Sequence, residues 1–141
     1  AAPPQLFKPG THGSTFSTNP LVCRVGLTVL ELLERGKFEK RAAELGTRIL
    51  KGLKKSLDAV AGVVEIRGQG LMLAVELDRP CKEILTLALE RGLLVNVTAD
   101  SVVRLLPPLI LSDAEADQIV SGVAECVRAF LASSEPKTAQ G

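Results

Sequence analysis

Tryptophan and tyrosine are absent from this chain, and its only aromatic side chains are four phenylalanines. Without rings to stack on, single-stranded nucleic acid has no platform to lie against. Lysine and arginine total 17 against 16 aspartates and glutamates, scattered together to a net charge of +1, so no basic stripe tracks a phosphate backbone. Nucleic acid is therefore excluded as a partner. There is one histidine, His12, and the cysteines Cys23, Cys81 and Cys126 are odd in number and far apart. That spacing matches no metal-ligand set, and it reads as buried free thiols in a reducing compartment, which points to the cytoplasm. No apolar run approaches the length of a membrane span. The opening Ala1-Ala2-Pro3-Pro4 has neither the basic nor the apolar region of a signal peptide.

What the chain has in surplus is apolar surface. Hydrophobic residues make up 46% of its 141 positions, enough for one core with more left over. A large interface, to another domain or another subunit, is the expectation. The first residues, Ala1 to Lys8, show no periodicity and begin abruptly, as though they continue something longer.

Next comes a loop of small and hydroxyl residues, Pro9-Gly10-Thr11-His12-Gly13-Ser14-Thr15-Phe16-Ser17-Thr18-Asn19-Pro20. It empties into a helix, with Asn19 as N-cap, Pro20 in the first turn and Gly36 as the stop. Hydroxyls and unsatisfied N–H groups at a helix entrance are the donors that a phosphate needs. Equally, such enrichment is ordinary loop chemistry. The helix from Leu21 to Arg35 is apolar on nearly every side, so it is expected to be covered on every side. The following helix, near Lys37 to Ala59, carries one stripe (Phe38, Ala42, Leu45, Ile49, Leu53, Leu57 and Val60) and packs by one face.

After Gly62 the period shortens to two. Val63–Arg67 and Leu71–Leu77 read as strands separated by a break at Gly68-Gln69-Gly70, and Cys81 to Arg91 as a helix closed by Gly92. Leu93–Val97 and Val102–Leu106 read as strands joined around Thr98-Ala99-Asp100, with Pro107-Pro108 ending the sheet. Ser112 and Glu115 form a capping box for a last helix, and from Ser133 a disordered tail is expected. The order of elements predicts a small α+β unit. Arg104, flanked by Val103 and Leu105, either snorkels at an edge or pairs with an anion.

The string Pro-Gly-x-His-Gly-Ser-Thr-Phe-x-x-Asn-Pro-Leu-x-Cys resembles the class III, pyridoxal-phosphate-dependent aminotransferases, most closely their acetylornithine branch. Three further blocks continue the likeness: Ile66-Arg67-Gly68-Gln69-Gly70-Leu71, Glu90-Arg91-Gly92-Leu93-Leu94-Val95 and Val103-Arg104-Leu105-Leu106-Pro107-Pro108-Leu109. Together they cover about Phe7 to Leu131, corresponding to roughly the C-terminal third of the family. The resemblance implies the small C-terminal domain of a fold-type I enzyme, a short sheet packed with helices. Residues 1–20 would be the cofactor-phosphate loop from the end of the large domain, 21–36 a connecting buried helix, 37–132 the small domain and 133–141 the tail.

On the same likeness, Thr15 holds the phosphate of pyridoxal phosphate bound mainly by the neighbouring subunit of a homodimer. Ser14 lies at the substrate, and Arg104 meets a substrate carboxylate or a nearby acidic side chain. His12 would stabilise the loop and Arg67 would be structural. The implied reaction moves an amino group from N-acetylornithine to 2-oxoglutarate, within arginine biosynthesis. Ornithine, succinylornithine and 4-aminobutyrate enzymes are the related alternatives, and an inert interaction module is the alternative of another class. Two departures stand out. Ser17-Thr18 replaces the usual Gly-Gly, and none of the lysines has the setting of the family's cofactor-anchoring lysine. No residue here is therefore expected to be catalytic, and the isolated chain is expected to be inactive.

Overall fold

The computed structural model describes Lys8, Gly10, residues 13–16 and residues 19–133. The chain divides into two compact units, Ala1–Lys37 and Phe38–Gly141. His12, Ser17, Thr18 and the expected tail after Ser133 lie outside the described residues.

In the first unit, Asn19 caps helix α1 (Pro20–Gly36), its Oδ1 accepting the N–H of Leu21 at 2.9 Å. Pro20 occupies the first turn, where its missing N–H leaves nothing unpaired. The stop falls one residue later than expected. Gly36 is still helical, and Lys37 takes the left-handed conformation at φ 50°, its N–H reaching back to Glu34 and Leu33. The next helix begins at Phe38. No residue of α1 is buried, Leu21, Val25 and Leu30 included. The expected buried connecting helix is exposed here because the described part of its unit contains no second element to cover it. Cys23, expected as a buried thiol, is exposed for the same reason, whereas Cys81 and Cys126 are buried. Burial pushes both of those thiols up, away from the reactive thiolate.

The second unit starts with α2 (Phe38–Leu57), whose expected stripe buries Leu45, Ile49, Leu53 and Leu57 together with Gly46. A hairpin follows, β1 (Val63–Gln69) and β2 (Met72–Leu77), paired antiparallel from Val63↔Leu77 to Gln69↔Met72. The break expected at Gly68-Gln69 is instead strand, and only Gly70-Leu71 form the turn, with Gly70 at φ 54°. Gly68 sits in the strand because β2 passes close by: a Cβ there would stand 2.9 Å from both the Met72 carbonyl and Leu73 Cδ2. Helix α3 (Ile84–Glu90) is shorter than its sequence pattern, since residues 81–83 form a turn.

Strand β3 spans only Asn96–Thr98, not Leu93–Val97. The N–H of Leu93 is returned to the Ala88 carbonyl of α3 at 2.9 Å, so it cannot join a ladder. Strand β4 (Val102–Leu105) completes a four-stranded antiparallel sheet ordered β1-β2-β4-β3. Helix α4 (Asp113–Ser133) closes the unit.

Alternation assigns the two faces of this sheet. Ile66, Leu73, Val75, Leu77, Val103 and Leu105 pack against Leu45, Ile49 and Leu53 of α2, Ile84 and Ala88 of α3, and Val123, Val127 and Phe130 of α4 in one core. Removing such a buried leucine side chain costs about 2–5 kcal/mol. The opposite face carries Glu65, Arg67, Gln69, Met72, Ala74, Glu76, Val102, Arg104, Asn96 and Thr98, and among the described residues no helix of the unit packs on it.

Polar contacts pin α4 to α2. The expected capping box is present: Glu115 accepts the Ser112 N–H at 2.8 Å, and the Ser112 hydroxyl accepts the Glu115 N–H at 3.2 Å. Arg48 grips Asp117 with two bonds, of 2.8 and 2.6 Å, and Asp113 is shared between Arg48 and Arg41. Arg41 also donates to the Leu111 carbonyl at 3.0 Å. The hydrogen bond from Arg48 holds the Asp117 carboxyl below its ordinary range, and the bonds from Ser112 do the same for Glu115.

Two predictions follow from this packing. A Cβ on Gly46 would lie 1.9 Å from the Gly70 carbonyl oxygen, a backbone atom that cannot swing aside. Gly46→Ala should therefore destabilise the unit by about 1–3 kcal/mol or more, as overpacking does, despite alanine's better helix propensity. Urea unfolding of both forms measures this. The second concerns acid. Because Asp117 and Glu115 have lowered folded-state values, their contribution is fully present above their unfolded values, near pH 4, and is lost as pH falls through the folded values. Urea midpoints should fall steeply below about pH 4, and Asp117→Asn should lower the neutral-pH midpoint while flattening that acid fall.

Candidate functional site

The open face of the sheet holds a concavity of about 430 Å³ lined by Arg67, Gly68, Gln69, Met72, Leu73, Ala74, Thr98, Val102 and Arg104. Register sets its plan. Arg67, Ala74, Arg104 and Asn96 form one transverse row across β1, β2, β4 and β3, and Glu65, Glu76, Val102 and Thr98 form the next. Directly paired residues share a face, so both arginines point to the same side with only the Ala74 methyl between them.

The two arginines differ in their partners. Arg67 Nη1 donates to Glu65 at 2.6 Å and to Glu76 at 2.5 Å, and the Glu76 bond foremost holds the guanidinium above its ordinary value. Arg104 has no such bond among the described residues. It is half-buried, and its Nε is removed from solvent with no hydrogen-bond acceptor. A buried, unpaired guanidinium N–H is costly, and an anion entering the concavity would satisfy it. The planar fork suits a carboxylate, which accepts two parallel bonds.

In the other unit, the Ser14 hydroxyl accepts the N–H of Phe16 at 3.3 Å, a local turn just ahead of the α1 N-cap. Thr15 lies exposed in that turn. An exposed threonine hydroxyl offers a hydrogen-bond donor of the kind that a phosphate oxygen accepts. Among the described residues no three His, Cys, Asp or Glu side chains gather as metal ligands, and no helix is long and apolar enough to cross a membrane.

The structure thus places Arg104 in a cavity, and Ser14 and Thr15 together in a turn of the first unit. Reading the sequence alone missed the partners of Arg67. Period-two alternation puts Glu65 and Arg67 on one face of β1, but Glu76 joins them only through the hairpin register. Gln69, Met72 and Thr98 were missed for the same reason.

A family model described as aminotransferase class-III matches residues 1–127. The chain therefore belongs to the class-III aminotransferases. Within that family it is 48% identical over 130 residues to acetylornithine aminotransferase 1 of Bordetella bronchiseptica, covering 92% of this chain and 33% of that protein. It is 44% identical to the acetylornithine aminotransferase of Nitrosomonas europaea, with the same coverage. An ornithine aminotransferase structure from Toxoplasma gondii superposes with a TM-score of 0.81 at 34% identity, covering 92% of this chain and 32% of that one. The acetylornithine aminotransferase structure from Elizabethkingia anophelis gives 0.75 at 31% identity, covering 89% and 34%. The chain spans about a third of the length of the curated relatives it matches.

Proposed function

We propose that this chain is the C-terminal part of a pyridoxal-phosphate-dependent aminotransferase that moves the amino group of N-acetylornithine to 2-oxoglutarate, in arginine biosynthesis. Family membership and the relatives' names support the reaction. The observation that carries the site is the buried, acceptor-less Nε of Arg104 in the open-face cavity. The overall exchange is balanced: the donor's C–N bond becomes C=O, the acceptor's C=O becomes C–N, and no outside oxidant is consumed. Pyridoxal phosphate, when bound, supplies the conjugated ring that takes up the electron pair released at the amine carbon.

The residues of this chain bind and orient. Arg104 grips a carboxylate of whichever substrate is present, which fixes the reacting carbon relative to the cofactor. Thr15 donates its hydroxyl to the cofactor phosphate, and Ser14 sits beside the substrate. The lysine that anchors the cofactor and the aspartate that pairs with its ring nitrogen come from the remainder of the enzyme. Residues 1–20 serve as the phosphate loop, and 37–132 as the small domain. The exposed apolar surface of α1 supports a homodimer, with the phosphate loop serving the partner's site and helix 21–36 covered in the assembly, and the enzyme would work in the cytoplasm.

Substitutions in the complete enzyme separate the two roles. Arg104→Lys should raise the KM for N-acetylornithine or 2-oxoglutarate about tenfold or more while leaving cofactor affinity intact, since a point charge cannot reproduce a bidentate grip. Thr15→Ala should weaken cofactor binding roughly tenfold to a hundredfold, and excess cofactor should restore much of the rate. Cofactor titration and steady-state kinetics, with ornithine as the comparison donor, measure both. Unchanged KM values in Arg104→Lys would assign Arg104 to the edge of the sheet instead.

A further inference from the structure

We draw no further inference here: the strongest candidate, the apolar groove of about 330 Å³ beside α4 lined by Leu93, Leu94, Leu106, Pro107, Ile119 and Val123, is an uncovered face of a chain that spans about a third of its relatives, and nothing in the structure shows what covers it.

Discussion

Strand alternation is the constraint on which the candidate site depends. Val103 and Leu105 are drawn into the core beneath β4, and a strand that buries those two must turn the residue between them outward. Arg104 is therefore delivered to the open face by hydrophobic packing that has no chemical role of its own. The core helices fix the height of that strand, and α4 is in turn pinned to α2 through Arg48 and Asp117. A strand held this way fixes where the Arg104 side chain leaves the backbone and which face it rises from.

The distribution of charge over the same face matters as much as its shape. Two arginines line one concavity, yet they are not equivalent, because one is bonded to two carboxylates and the other to none. A face with both cations free would bind anions in several positions, and a face with both neutralised would bind none. The asymmetry leaves Arg104 as the guanidinium lining the concavity that has no carboxylate partner among the described residues.

The first unit has different physics. Its helix begins at a well-formed Asn19-Pro20 cap and then exposes leucine and valine along its length. Surface of that kind is stable only when covered, and burying each such side chain is worth about 1.5–3 kcal/mol.

Local chemistry made much of this legible beforehand. Asn19-Pro20, Ser112 with Glu115, the single stripe of α2 and the two faces of β4 were all readable, because caps and periodicity depend on neighbours a few residues away. The resemblance of the Gly-Ser-Thr loop and the Arg-Leu-Leu-Pro-Pro block to one family was readable for the same reason. Other features were not. Gly68-Gln69 belongs to a strand because β2 lies against it, and Leu93 leaves the sheet because α3 claims its N–H. Lys37, not Gly36, takes the left-handed turn because the next helix starts at once. Above all, the strand order β1-β2-β4-β3 sets Ala74 between Arg67 and Arg104 and places Glu76 in the adjacent row, diagonal to both. Which carboxylate meets which arginine depends on hydrogen-bond register between segments distant in the chain, and no local pattern of residues encodes that.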